Sequence, residues 1–254
     1  MKKIVLTLLF ATALVSCEET TTADVSKVTH YPIITVLGSD PIFVPQGGTF
    51  TDPGVIAMEG ENEIDYVTTV KGNYRGGTTL DTNITDEYTV TYTATNVDGF
   101  SANSPRKVIV YKTGDLVNSI EGVYIATTKR NGSFLPATQG SSLNMKYIYI
   151  WKNGDGTYEV SDAFGGWYSI GRKLGVGYAT QGGKINAVNI PANTFTFPGA
   201  PGNLTNPGFG GVAELTGMTV DPAQKKIVFT SHWIAPGTPP TNYNFEVTLT
   251  QVQL

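Results

Sequence analysis

The chain has 254 residues, a formal net charge of −4, 15% charged residues and a single cysteine. The acidic balance leaves no electrostatic footprint for a nucleic-acid partner, and one thiol cannot form an internal disulfide. The length is comfortable for two domains, and the low charge, filled in by hydroxyl residues, asparagine and 29 glycines, suits a sheet-rich secreted protein.

Residues 1–16 read as a signal peptide. Lys2 and Lys3 give a positive start, and Ile4 to Val15 form a nearly unbroken apolar run too short to anchor in a bilayer. Leu14-Val15-Ser16-Cys17 resembles the bacterial lipobox, with leucine three residues before the cysteine and a small residue directly before it. The resemblance implies cleavage ahead of Cys17, lipidation of its thiol and a membrane partner reached through that lipid. An ordinary secretory signal with an incidental cysteine is the competing reading. Residues 17–29 then form the lipidated cysteine and a flexible tether, because Glu18 to Thr29 is polar, Thr-rich and aperiodic. Fully extended, this stretch reaches about 40 Å. Glu18-Glu19 resembles the surface-export signals of Bacteroidetes lipoproteins, which implies the outer membrane and its exposed face rather than the periplasm.

Residues 30–112 read as a first domain. In Glu87 to Asn96 (EYTVTYTATN), Tyr88, Val90, Tyr92 and Ala94 share one face and four threonines share the other. Strict alternation predicts a half-buried strand. Val97-Asp98-Gly99 supplies a turn, and Lys107 to Tyr111 returns as the partner strand. Ile33 to Leu37 and Ile42 to Val44 are shorter strands, parted by Gly38-Ser39-Asp40-Pro41. Short strands with frequent turns and no helix predict a β-sandwich.

PIITVLGSDPIFVPQGGTFTDPGVIA, then EYTVTYTATNVDG and KVIVY, resembles the bacterial surface Ig-like domain across residues 31–111. The resemblance implies a spacer or adhesive module. Tyr88 fits a corner tyrosine, whose hydroxyl satisfies a backbone group near the preceding turn. Val90 stands where antibody-type domains carry a cysteine, so packing has to replace the disulfide. Asp52 and Asp98 are of a type that binds calcium, but capping turns is the stronger reading because no acidic cluster surrounds them.

Residues 113–118 read as a linker and 119–254 as a second β-rich domain. Candidate strands are Glu121 to Thr128, Lys146 to Trp151, Thr157 to Ser161, Lys184 to Ile190, Gly211 to Val220, Lys225 to Ser231 and Phe245 to Val252. Asn153-Gly154-Asp155-Gly156 and Asp221-Pro222-Ala223-Gln224 are turns. About eight strands predict a second sandwich or a barrel-like domain, so the chain as a whole is all-β. The opening GVY, GDGTYEVSDAFGGWY with a following GR, and the closing strand resemble the carboxy-terminal domains of two-domain Bacteroidetes lipoproteins, some encoded beside glycan-uptake systems. That implies a setting near polysaccharide capture and other envelope uptake proteins.

No catalytic residue, metal site or cofactor is expected. Glycoside hydrolysis needs two carboxylates facing one bond, and here only Asp162 with Glu214 remains as an unsupported pair. Asn153 opens a calcium-like loop whose twelfth position is Phe164 rather than a glutamate. His30 and His232 are the only histidines, which suggests no zinc cluster. The segment that stands out is SDAFGGWYSIGR, residues 161–172. Phe164, Trp167 and Tyr168 crowd a glycine pair, and glycine covers little surface. Two readings stand open. Exposed, Trp167, Tyr168 and Phe164 form a platform for an oligosaccharide or polysaccharide, with Asp162 and Arg172 taking hydroxyls. Buried, they are core pieces of a Gly-bent strand, and adhesion or scaffolding against other envelope proteins gains. Phe197 to Gly211 and Ala235 to Asn242 are Pro-, Gly- and Asn-rich loops suited to lining a binding face.

Overall fold

The computed structural model describes residues 28–254; Cys17, the signal segment and the tether up to Lys27 lie outside the described residues. Strand makes up 49% and helix 5%, so the all-β expectation holds.

Alternation organises the first domain. One sheet is β1 (Pro32–Val36), β3 (Val55–Glu59) and β4 (Asn62–Glu63). The other is β2 (Ile42–Pro45), β7 (Ser101–Tyr111), β6 (Asp86–Thr95) and β5 (Tyr66–Gly72), in that spatial order. Strand β6 places Tyr88, Val90, Tyr92 and Ala94 in the core, and its threonines face outward as the pattern predicts. It pairs antiparallel with β7, which starts at Ser101, earlier than its apolar run suggests. Tyr88 is a corner tyrosine: its hydroxyl donates to the carbonyls of Asp81 (3.1 Å) and Ile84 (3.3 Å). Val90 packs with Val44, Val55, Val108 and Val110 where a disulfide would otherwise lie.

Arg106 lies on β7 opposite Val90, wholly buried. Its guanidinium donates to Asp52 Oδ1 (2.9 Å) and to the carbonyls of Leu37 and Gly54. The same Asp52 oxygen accepts from Tyr92 Oη (2.6 Å) and Gly54 N–H (2.9 Å). The Thr-Asp-Pro-Gly turn, which leads into β3, is thereby tied through one carboxylate to β6 and β7 of the opposite sheet. A buried charge is tolerable only with such pairing.

The second domain is one nine-stranded antiparallel sheet. Its strands are β8 (Gly122–Arg130), β9 (Met145–Lys152), β10 (Tyr158–Val160), β11 (Gly183–Asn189), β12 (Thr194–Thr196), β13 (Leu204–Asn206), β14 (Gly210–Asp221), β15 (Lys226–Ala235) and β16 (Thr241–Gln251). The order across the sheet is β12-β11-β10-β9-β8-β16-β15-β14-β13, and it curls into a half-barrel. Register shifts at Tyr124/Ile125, Ala187/Asn189 and Leu215/Gly217 help it bend, since an extra residue on one strand raises local twist. The three-residue β12 and β13 lie where the sequence shows no strand pattern.

A third apolar cluster joins the domains. Ile109 of β7 packs with Val123, Tyr149 and Trp151, flanked by Phe43, Tyr74, Tyr111 and Tyr147. Tyr149 Oη donates to Glu87 Oε2 (2.6 Å), and Glu87 Oε1 also takes Asn73 Nδ2 and Lys107 Nζ, each at 2.9 Å. Lys112 pairs with Glu121 across the connection (3.1 Å). In KYIYIW, Ile148 and Ile150 thus face the half-barrel core while Tyr149 and Trp151 face the Ig-like domain.

Candidate binding site

The segment 161–172 fills the hollow of the half-barrel. After β10 the chain turns inward at Gly165 (φ +59°) and Gly166 (φ +84°) and makes one π-helical turn, Trp167–Gly171. A Cβ on Gly165 would stand 2.4 Å from Val247 Cγ1 and 2.6 Å from Thr128 Oγ1. The glycine pair therefore lets the backbone sink against β16 and β8. Thr128 Oγ1 donates to the Gly165 carbonyl (3.0 Å) and Ser231 Oγ to that of Ala163 (2.6 Å), so the plug is bonded to the sheet beneath it.

This corrects the exposed-platform expectation. Trp167 is 1% exposed, Phe164 0% and Tyr168 3%. Phe164 stacks on Phe245 at 4.4 Å, and Trp167 meets the same ring edge-on at 6.1 Å. Asp162 is also buried and its oxygens are occupied: Oδ1 accepts from Phe164 N–H (2.9 Å) and Thr180 N–H (3.2 Å), and Oδ2 from Ser169 Oγ (2.7 Å). Burial pushes its pKa up, opposed by those hydrogen bonds. It forms no open pair with Glu214, which alternates with core-facing Ala213 and Leu215 and so lies on the outer face. Of the residues singled out, only Arg172 is exposed, its guanidinium 5.9 Å above the Tyr168 ring.

The plug instead supports an aromatic rim at the loop end of the half-barrel. Tyr178, Phe209 and Tyr243 are partly exposed there, Phe209 by 39%. Phe209 lies 4.9 Å from the Tyr168 ring and 5.3 Å from Tyr178. Trp233, buried, stacks on Tyr243 at 5.4 Å. Arg130, at the end of β8, lays its guanidinium 4.5 Å from the Tyr243 ring and 5.1 Å from Trp167, and donates to Tyr168 Oη (2.9 Å). Burial raises the Tyr168 pKa, and the Arg130 charge opposes it.

These rings are held rigidly. Asn206, fully buried, accepts from the N–H groups of Gly208 (3.1 Å) and Phe209 (2.8 Å), and donates to the Tyr178 carbonyl and Thr180 Oγ1, both at 3.0 Å. Gly208 has to be glycine, because a Cβ would fall 2.0 Å from Tyr178 Cδ1. Trp233 Nε1 donates to the Gly210 carbonyl (3.0 Å). Phe209 and Tyr243 sit on or beside the two Pro- and Gly-rich loops read as binding loops. No local pattern in the sequence marks Arg130, Tyr178 or Tyr243.

One other cleft is less suited to a ligand. This open cleft of about 110 Å³ beside the domain joint is lined by Tyr74, Glu87, Lys107, Lys146, Tyr147 and Ser169, but Glu87 is already saturated by its three partners. Among the described residues no three of His, Cys, Asp and Glu converge as a metal site.

A family model for the bacterial surface Ig-like domain matches residues 34–110, and one for the C-terminal domain of BT2262-like proteins matches residues 113–251, more than half of the chain. The crystal structure of the lipoprotein BT2262 from Bacteroides thetaiotaomicron superposes with a TM-score of 0.60 at 23% identity, covering 87% of this chain and all of that one. Among curated proteins none matches. A surface Ig-like domain runs directly into a plugged half-barrel, and the chain belongs to the BT2262-like family.

Proposed function

We propose that this protein is a lipid-anchored envelope protein, displayed on the outer membrane, that binds saccharide without catalysis as an accessory to polysaccharide capture. The observation that carries the reading is the rim of partly exposed rings, Tyr243 against the Arg130 guanidinium and Phe209 with Tyr178 joined to it through Tyr168. Ring faces stack on the CH face of a sugar, guanidinium donors take its oxygens, and rigid rings lose little entropy on binding. The Ig-like domain acts as spacer. Its Val97-to-Phe100 turn and the incoming chain at His30 meet through Asn96 Nδ2, which donates to the His30 carbonyl (2.8 Å) at the pole opposite the domain joint. A lipid on Cys17 would therefore leave the half-barrel outermost.

Two experiments test this. Cys17→Ala is expected to move the protein out of the membrane fraction, and unchanged retention would count against the anchor. On a glycan array, the soluble chain from Glu18 onward is expected to bind, and Phe209→Ala to weaken the hit at least about tenfold with the thermal midpoint little changed, as for a half-exposed hot-spot ring. A variant that binds as the parent does removes the rim from consideration.

A second reading, adhesion or scaffolding against other envelope proteins, is favoured by one surface of the Ig-like domain. Ile33 (66% exposed) and Ile56 (40%) are on the outer face of β1 and β3, and Tyr31 and Phe100 pair at 5.0 Å near the exposed Val97.

A further inference from the structure

We infer that the rim selects sugars carrying an oxyanion, a carboxylate or a sulfate, with Arg130 as the anchor; this rests on the saccharide reading above. Arg130 is half-buried, and one of its five N–H donors is spent, on Tyr168 Oη. Among the described residues no carboxylate pairs with it: the ion pairs of the half-barrel involve Glu121, Asp155, Glu214 and Glu246, and none includes an arginine. A guanidinium set among rings with four unspent donors is a ready binding site for an anion. Arg172 adds a second positive charge over the Tyr168 ring, also without a carboxylate partner among the described residues. Two guanidinium groups about one tyrosine thus form a locally positive rim on a chain whose net charge is −4.

The fork is also oriented in advance. The Tyr243 ring 4.5 Å away and the bond to Tyr168 Oη hold the guanidinium in place and leave four of its donors for a partner, and a planar fork of N–H groups matches carboxylate and sulfate oxygens. The backbone beneath is clamped. Arg130 and Ser133 exchange N–H to carbonyl bonds (2.8 and 3.1 Å), and Asn131 bridges to Asn244 of β16 through two more at 2.8 Å. A bare anion would use only the charge. A charged sugar uses the neighbouring Phe209 and Tyr178 rings as well.

The test compares three oligosaccharides of matched length on the soluble chain from Glu18 onward: oligogalacturonate for carboxylate, sulfated dextran for sulfate, and a neutral maltooligosaccharide. At least one charged ligand is expected to bind about tenfold or more tighter than the neutral one, with the advantage shrinking as salt is raised. Arg130→Gln is expected to bring the charged ligand down to the neutral one. Arg172→Gln, at an exposed position where folding is not at stake, is expected to reduce the salt dependence. Which charged ligand wins identifies the oxyanion. Equal binding of charged and neutral ligands, or a preference that survives both substitutions, overturns the inference and leaves saccharide binding standing. Failure of all three ligands, together with a blank glycan array, overturns both.

Discussion

Trp167→Ala is expected to cost about 3–5 kcal/mol of folding stability, measured by denaturant unfolding of the soluble chain from Glu18 onward. The ring is 1% exposed and sits between the Phe245 edge at 6.1 Å and the Arg130 guanidinium at 5.1 Å. Removing it leaves a cavity under the plug that the sheet cannot close, because Gly165 is already in contact distance of Val247 and Thr128. The indole N–H is buried without a hydrogen-bond partner among the described residues. Trp167→Phe deletes that orphan donor while keeping most of the apolar bulk, so it is expected to lose well under half as much. A loss below about 1 kcal/mol for the alanine variant would mean the plug does not carry the core of this domain.

The same residue shows where sequence reading stops. In the Ig-like domain the two-residue period of EYTVTYTATN translated directly into a half-buried strand, because one face meets the core and the other meets water. The turn cap made by Asp52 on Gly54 N–H is legible in the sequence; its tie to Arg106 is not. Asp52 waits for Arg106, which sits in a polar stretch, SANSPRKV, with nothing to mark its guanidinium as buried. In SDAFGGWYSIGR, aromatic crowding beside glycine was visible but its sense was not. Glycine exposes a neighbour when the backbone turns outward and buries it when the backbone turns inward, and only the hollow left by the curled sheet decides between them.

The rim was legible only as loops. Proline, glycine and asparagine in 197–211 and 235–242 mark loops suited to a binding face; Phe209 lies within the first and Tyr243 directly after the second. Arg130 joins them because β16, the last strand, pairs with β8, the first of its domain, setting Phe245 opposite Arg130 and Tyr243 on the same inner face one step along. No local pattern records a pairing between the ends of a domain. The joint between domains was half legible. KYIYIW is apolar on both faces, as a strand covered on both sides must be, but what covers Tyr149 and Trp151 belongs to another domain.

Asp162→Ala is expected to be as damaging as the loss of the tryptophan, by a different route. Its carboxyl accepts from Phe164 N–H, Thr180 N–H and Ser169 Oγ, and it fixes the plug to the chain at Thr180 just beyond it. Alanine strands three buried donors at about 1–3 kcal/mol each, so a loss of about 3–5 kcal/mol is expected after partial relaxation. Asp162→Asn keeps the Oδ1 acceptor for both backbone groups and offers Nδ2 to Ser169 Oγ, which can turn to accept, so its cost at neutral pH is expected to be small. The pH dependence separates the two effects. Burial raises the folded-state pKa of Asp162 above the unfolded value of about 3.9. The unfolded chain then releases the proton first, so this group's contribution is fully present below the unfolded pKa and is lost as pH rises through the folded pKa. The stability difference between Asp162→Asn and the parent is therefore expected to move in favour of asparagine from pH 4 toward pH 7. A difference that stays flat over that window would mean the carboxyl is as readily ionised in the folded plug as in water, and that the three donors hold its charge without cost.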